Sequence, residues 1–259
     1  MPAQLQATRE GQTLVLTLSN PELRNAIDPV MYAAGIEALN VAESSTEVRS
    51  VVITGAAGMF CSGANLLRLQ ANRQVDPQVQ AQSSEGLHSW IETIRTYPKP
   101  VIAAVEGAAA GAGFSLALAC DMVVAARNAV FVMADSSVAL SPDGGASWSL
   151  AQALPRQLAT EILMCGDRIA AERLHALGVV NRLAEPGSAL TMALALAEQL
   201  NARAPNVLAS IKELVGDAPH NLLSTHLASE RDHFVKNLHH ANAGTGIAAF
   251  LDKRTPLYE

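Results

Sequence analysis

Residues 101–120 read VIAAVEGAAAGAGFSLALAC. The stretch is long and apolar enough to be weighed as a membrane span, and it holds a small-x-x-x-small pattern. Three features point elsewhere: Glu106 lies inside it, Pro98 and Pro100 precede it, and Gly107, Gly111 and Gly113 break its middle. A buried strand over 101–105, a turn of very small residues and a buried helix from about Ala112 to Ala119 account for all three. This strand–turn–helix unit marks an α/β chain, and the flanking sequence repeats its logic.

On the N-terminal side, residues 48–54 are a continuous, β-branched run ending at Gly55, as a fully buried strand would be. Residues 13–18 alternate leucine with threonine and valine, the period of a half-buried strand. Between them, Asp28 and Pro29 offer an N-cap and a first-turn proline for a helix with Met31, Ala34, Ala38, Leu39 and Ala42 on its apolar face. Residues 68–86 are polar and rich in glutamine and asparagine. They are expected to form a mobile loop or the frayed start of the helix that reaches Trp90, Ile91 and Ile94.

On the C-terminal side, residues 122–126 and 130–133 predict two short strands. The SPDGG turn at 141–145 precedes helical patterns that run to Leu177, and a last strand is expected at 179–183. From Pro186 onward the pattern is helical, with breaks expected near Pro205, Pro219 and 244–246. The chain therefore divides into a β/α region, residues 1–200, and a helical part, residues 201–259, with no low-complexity linker between them. Strand–strand–helix units recur without a clear sequence repeat.

Composition narrows the function. The 259 residues, 49% hydrophobic and 16% charged, suffice for one large core. Aromatics at 4% leave few rings for stacking single-stranded nucleic acid, and a net charge of −6 gives no general attraction to phosphate backbones or anionic lipid. Neither nucleic acid nor membrane is expected as a partner. Cys61, Cys120 and Cys165 are odd in number and form no C-x-x-C pair, which predicts reduced thiols in a cytoplasm and no structural zinc. The opening MPAQLQATREGQ lacks a basic segment followed by an apolar run, so no export signal is expected.

Three segments share one physical plan of buried strand, small-residue turn and helix. The first turn runs through Phe60, Cys61, Ser62, Gly63 and Ala64. The second holds Glu106, Gly107 and residues 110–113, and the third passes Asp135 to reach Pro142, Asp143, Gly144 and Gly145. Small residues let a ligand approach the backbone, and a helix start leaves free N–H donors at its positive end. Two such turns facing each other offer two N–H groups to one oxygen, which is an oxyanion hole. A single glycine turn of this kind is common and often serves only close packing. The combination carries the weight.

In order along the chain stand Ser19, Asn20 and Pro21 with Arg24, Asn25 and Ala26; VITG at 52–55; FCSGANL at 60–66; KPVIAAVEG at 99–107; GAG at 111–113; Cys120 and Asp121; PDGG at 142–145; and ALGVV at 176–180. This ordered set resembles the crotonase (enoyl-CoA hydratase/isomerase) superfamily over nearly the whole chain. The resemblance implies an α/β spiral of ββα units with a C-terminal helical trimerisation region, assembled as a homotrimer or as a hexamer made of two trimers. It implies an acyl-CoA substrate, with coenzyme A carried as part of that substrate and no separate cofactor or metal. By the same resemblance the oxyanion-hole donors are the backbone N–H groups of Ala64 and Ala112, each worth about 2.7–4 kcal/mol in analogous sites. Alanine stands at 112 where the family has the middle glycine of a triplet, a mild departure if its backbone angles stay in an allowed region. Coenzyme A is implied near Arg24, Ala26, Ala64 and Leu66. Phe250 and Lys253 resemble the C-terminal residues that reach the nucleotide, often of a neighbouring subunit, although Lys253 reads equally well as a solvated lysine on the last helix.

Hydratases of this family use two glutamates, and here those positions are Ser115 and Asp135, so that pattern is broken. Asp143 sits where family isomerases and related dehalogenases place a working carboxylate. A lone carboxylate shuttles one proton between C2 and C4 of an enoyl thioester, which is double-bond isomerisation, and burial would tune it for that task. The alternative for Asp143 is an N-cap of the following helix. Asp135 is one carbon shorter than the glutamate it replaces and is expected to hold only a water or a neighbouring backbone group, unless the chain is a hydratase that uses it. The missing first glutamate favours an isomerase, or a ring-type enoyl-CoA such as those of aromatic-acid breakdown.

Three other readings remain. Gly113, Phe114, Ser115, Leu116 and Ala117 fall one residue short of a G-x-S-x-G nucleophile elbow, which would suit a thioester hydrolase. No histidine among His88, His175, His220, His226, His233, His239 and His240 has an evident claim as its base, so a satisfied Ser115 on a buried helix is the simpler expectation. A dinucleotide site lacks the third glycine and the ribose-binding acid. A non-catalytic scaffold that binds CoA or RNA would have lost its acid–base groups, and Asp143 argues against it. Cys61 lies among apolar and small neighbours, where an inert thiol is expected.

Overall fold

The computed structural model of the protein describes residues 3–258. Its strands are β1 (Gln4–Glu10), β2 (Thr13–Ser19), β3 (Ser50–Gly55), β4 (Val101–Val105), β5 (Ala108–Ala110), β6 (Met122–Ala126), β7 (Val130–Val132), β8 (Ile169–Ala170) and β9 (Arg182–Ala184). They form a six-stranded sheet in the order β1-β2-β3-β4-β6-β9 and a three-stranded sheet in the order β5-β7-β8. In the large sheet only β1 runs antiparallel, as a hairpin partner of β2.

The β-branched and alanine-rich strands of this sheet are buried on both faces, and alternation assigns each residue to one of two cores. Val51, Ile53, Val101, Ala103 and Val105 face the main core, which also holds Trp90, Ile94, Phe114 and Phe131. Val52, Ile102, Ala104 and Val124 face a smaller core closed by Ala189, Ala193 and Ala197. Those alanines lie on one helix, so that helix approaches the sheet closely.

The helices are α1 (Pro29–Glu43), α2 (Leu66–Asn72), α3 (Pro77–Thr96), α4 (Ala112–Ala119), α5 (Ala146–Ala153), α6 (Arg156–Cys165), α7 (Ala171–Ala176), α8 (Ala189–Asn201), α9 (Pro205–Asp217), α10 (Leu223–Leu238) and α11 (Ala241–Leu251). Asp28 caps α1 as expected, accepting from the Val30 and Met31 N–H groups at 3.1 Å. Glu106, the charge inside the apolar run, accepts from the Ala189 N–H at 2.8 Å and the Gly187 N–H at 3.1 Å. It thereby satisfies the start of α8 from across the sheet. No helix among the described residues is long and apolar enough to cross a membrane.

Four expectations are corrected. Residues 68–86 are mostly helical: Asn65 caps α2 through its side chain, and Asp76 followed by Pro77 starts α3. Residues 108–110, read as turn, form β5, because Cys61 and Val132 supply hydrogen-bonding neighbours on either side. The last strand starts at Arg182, after a turn in which the Val179 and Val180 N–H groups donate to Leu174 O. Residues 244–246 lie inside α11 without breaking it.

Candidate active site

The site begins with main chain. Asn25, fully buried, donates from Nδ2 to Ala56 O at 2.8 Å and Met59 O at 2.6 Å, and its Oδ1 accepts from the Asn20 N–H at 3.0 Å. This ties residues 20–25 to the turn that follows β3. The Ser62 N–H donates to Arg24 O at 3.0 Å and its hydroxyl to Leu23 O at 2.8 Å, while the Ile27 N–H donates to Gly63 O at 2.9 Å. On its other side the same turn is stitched to β5: the Cys61 N–H donates to Ala108 O at 3.0 Å and the Ala110 N–H to Cys61 O at 2.9 Å.

The first two turns therefore lie against each other, main chain to main chain, with the small Cys61 side chain packed on Gly113. A Cβ added to Gly63, whose φ is +98°, would stand 2.7 Å from Ala110 O and 3.5 Å from Ala112 N. One added to Gly113 would stand 2.6 Å from Cys61 Cβ. Ala112 itself opens α4 without a positive φ, so alanine is accommodated in the middle of the triplet. Among the described residues, neither the Ala64 nor the Ala112 N–H has a backbone acceptor. Both residues line a cavity of about 450 Å³.

Asp143 and Asp135 line the same cavity. Asp143 is held by three groups: Oδ2 accepts from the Ser84 hydroxyl at 2.9 Å, while Oδ1 meets His88 Nε2 at 2.5 Å and accepts from the Gly144 N–H at 2.8 Å. Behind Ser84 the chain continues, with Asn72 Nδ2 donating to Gln80 Oε1 at 2.8 Å and Gln80 Nε2 to Ser84 Oγ at 3.3 Å. The N-cap residue of α5 is Gly145, with no side-chain cap, so Asp143 does not serve as a helix cap.

Asp135 sits in the 3-10 turn after β7, beside Gly111, and its buried Oδ2 has no hydrogen-bond partner. The expected neighbouring backbone group is not there to satisfy that oxygen. Burial pushes its carboxyl up; a backbone hydrogen bond within the residue opposes the rise, and the nearby Asp143 charge adds to it.

Ser115 is buried, as expected, and donates to Asp143 O at 2.6 Å. Its hydroxyl is thus occupied by main chain. Cys61 is buried and its thiol is pushed up to about 12 by desolvation, which keeps it protonated at neutral pH.

The resemblance-implied ligand residues fall in two places. Leu66 lines the cavity beside Ala64; Ala26 is buried next to the lining residue Ile27, and Arg24 is held against the first turn through its carbonyl. Phe250, on α11, is 84% exposed, and neither it nor Lys253 lines the cavity of the single chain. Tyr32, Arg68, Ser84 and His88 are among the lining residues to which the sequence reading gave no site role. His88 lines the cavity through Asp143 and makes no hydrogen bond to Ser115, whose hydroxyl donates to main chain. Gln80, Ser84 and His88 are spaced by four, so they share one face of α3, and the signal was hidden because that stretch was read as loop or frayed helix.

Comparison with known proteins agrees with this geometry. The family described as Enoyl-CoA hydratase/isomerase matches residues 8–259. The chain is 35% identical over 254 residues to the 1,2-epoxyphenylacetyl-CoA isomerase of Escherichia coli K12, covering 96% of this chain and 95% of that protein. It is 31% identical to the 2,3-dehydroadipyl-CoA hydratase of the same organism, covering 98% of each. A crystal structure of an enoyl-CoA hydratase from Polaromonas sp. JS666 superposes with a TM-score of 0.98 at 70% identity, over 98% of this chain and 99% of that one. With facing small-residue turns, two free N–H groups and carboxylates around one cavity, the chain belongs to the enoyl-CoA hydratase/isomerase family of the crotonase superfamily.

Proposed function

We propose that this acyl-CoA enzyme isomerises the double bond of an enoyl thioester, with Asp143 as the proton carrier. The observation that carries the reading is the threefold seating of the Asp143 carboxylate in the cavity shared with Ala64 and Ala112. A carboxylate that accepts from the Ser84 hydroxyl and the Gly144 N–H is oriented as a base. It takes the C2 proton of a 3-enoyl thioester; the charge moves to the thioester oxygen, where the Ala64 and Ala112 N–H groups receive it. The same carboxylic acid returns the proton to C4, giving the 2-enoyl thioester with no change in mass. Likeness to an isomerase of a ring-bearing acyl-CoA supports a ring-type substrate.

Coenzyme A enters as part of the substrate and rests near Arg24, Ala26 and Leu66. Phe250 and Lys253 reach the nucleotide from a neighbouring copy in a homotrimer or a hexamer of two trimers. The exposed Ile211, Val215, Phe234 and Leu238 on α9 and α10 support residues 201–259 as the oligomerisation region. Three cysteines without disulfides suit a cytoplasmic setting.

A second reading, hydration with Asp135 as the acid, is favoured by its unpartnered oxygen and raised carboxyl. The test follows crotonyl-CoA and a 3-enoyl-CoA by absorbance and mass, with Asp143→Asn alongside. Conversion of 3-enoyl to 2-enoyl without mass change, lost in Asp143→Asn, is the expected result. Gain of one water on crotonyl-CoA that survives Asp143→Asn moves the chemistry to Asp135.

A further inference from the structure

We propose that His88 exchanges the proton held by Asp143 with solvent, so that the hydrogen reaching C4 of the substrate comes largely from water. This rests on the reading of Asp143 given above. His88 Nε2 lies 2.5 Å from Asp143 Oδ1, a separation across which a proton passes readily. The ring is half-exposed, and among the described residues its Nδ1 has no partner. The two ring nitrogens thus face different surroundings, one a cavity carboxylate and the other no protein group.

The other contacts of Asp143 cannot perform this task. Ser84 and the Gly144 N–H orient the carboxylate, but neither has a basic nitrogen to take up its proton, as an imidazole ring has. The remaining ionisable groups around the cavity are also unsuited. Asp28 is engaged in capping α1, the Arg68 guanidinium has no acceptor atom, and burial pushes the Tyr32 phenol up. Asp135 shares no hydrogen bond with Asp143.

The protons balance. Once Asp143 has taken the C2 proton it is a carboxylic acid, and it passes that proton to Nε2 of the ring in the tautomer with its hydrogen on Nδ1. The imidazolium breaks its contact with Asp143, trades its Nε2 hydrogen with water and re-forms the contact. Nε2 then returns a solvent-derived proton to the carboxylate, which delivers it to C4, and no net proton is gained or lost. His88 acts through Asp143, so it is a positioning residue that also carries a proton.

The experiment isomerises 3-hexenoyl-CoA in D2O at low conversion and reads deuterium at C4 of the 2-enoyl product by mass and NMR. Wild-type product is expected to carry solvent deuterium. His88→Gln keeps a donor for Asp143 but cannot take up a second proton; it is expected to turn over at a reduced rate and to lose the solvent label, moving the C2 hydrogen to C4. Ser84→Ala separates orientation from exchange: a slower rate with an unchanged label fraction is expected.

A His88→Gln product with wild-type deuterium content overturns the proposal, as does a wild-type product without solvent deuterium. Failure of the underlying reading shows in the rate, before any label is measured. Asp143→Asn that isomerises like the wild type, or a wild-type enzyme that leaves the 3-enoyl thioester unchanged, removes the isomerase role of Asp143 and the exchange role with it.

Discussion

The cavity has two walls built on different principles. One is made of residues 60–64 and 110–113, where main chain meets main chain and the functional groups are N–H donors that every sequence possesses. The other is made of α3 and the segments that hold Asp135 and Asp143, where function resides in particular side chains and their partners. In the first wall specificity comes from what is missing, since a single Cβ at Gly63 or Gly113 would occupy space already filled. In the second it comes from what is present, and the two aspartates differ by their neighbours alone: Asp143 has three partners, and one oxygen of Asp135 has none. A wall of backbone fails through crowding, a wall of side chains through lost chemistry, and substitutions should separate the two.

The largest effect is expected in the side-chain wall. Asp143→Asn should lower kcat for isomerisation by about 10²–10⁴ while leaving the thermal midpoint nearly unchanged, checked by steady-state kinetics beside calorimetry. A large loss of stability instead would make Asp143 a structural residue and erase the contrast. Gly63→Ala should do both kinds of damage. Its Cβ would be driven against Ala110 O, displacing the donors for a kcat loss of about 10²–10³. The strain and overpacking should also cost about 1–3 kcal/mol, read as a lower midpoint in a thermal melt. An alanine variant with wild-type activity and stability would show that the two turns are not rigidly apposed.

Ser84→Ala should cost less. A hydrogen bond to a charged group is worth about 1.5–3 kcal/mol, but His88 and Gly144 still hold the other oxygen, so a kcat loss of roughly tenfold is expected, or about 1.4 kcal/mol. The smallest effect has the opposite sign. Asp135 has a folded-state value above its ordinary 3.8, so the native chain holds that proton more tightly than the unfolded chain does, and the charge costs stability as pH rises through that window. Asp135→Asn should therefore raise the midpoint at neutral pH, by the smallest margin of the four because the carboxyl is only partly buried. The gain should fade as the pH falls toward 3.8, where the wild-type carboxyl is itself neutral. A pH-independent gain would mean that charge is not the cause.

The two walls were also unequally legible. The backbone wall could be read because its requirement is local: Gly63, Gly111 and Gly113 are placed by close approach or positive φ, and small residues between a β-branched run and a helix announce both. The helix Ala112–Ala119 and the strand Val101–Val105 fall where the pattern put them. The side-chain wall depends on α3, whose first turns are polar because they face the cavity and solvent. Hydrophobic periodicity begins only near Leu87, so the helix looked frayed there and the alignment of Gln80, Ser84 and His88 went unseen. The Asp76–Pro77 cap was the missed cue. That His88 meets Asp143, 55 positions away, could not be inferred without knowing how α3 crosses the third turn.

One small contact constrains what this protein could become. Gly144 sits so close to Ser115 that a Cβ on it would be 3.0 Å from Ser115 Cβ and 3.3 Å from Leu87 Cδ2, and the Ser115 hydroxyl is fastened to Asp143 O. The loop that presents Asp143 packs directly on Ser115 and leaves little room there for a longer acidic side chain. The two carboxylate positions are thus rival occupants of one volume. A glutamate placed at 115 therefore calls for a compensating change in residues 142–145, because its side chain would meet the loop that presents Asp143.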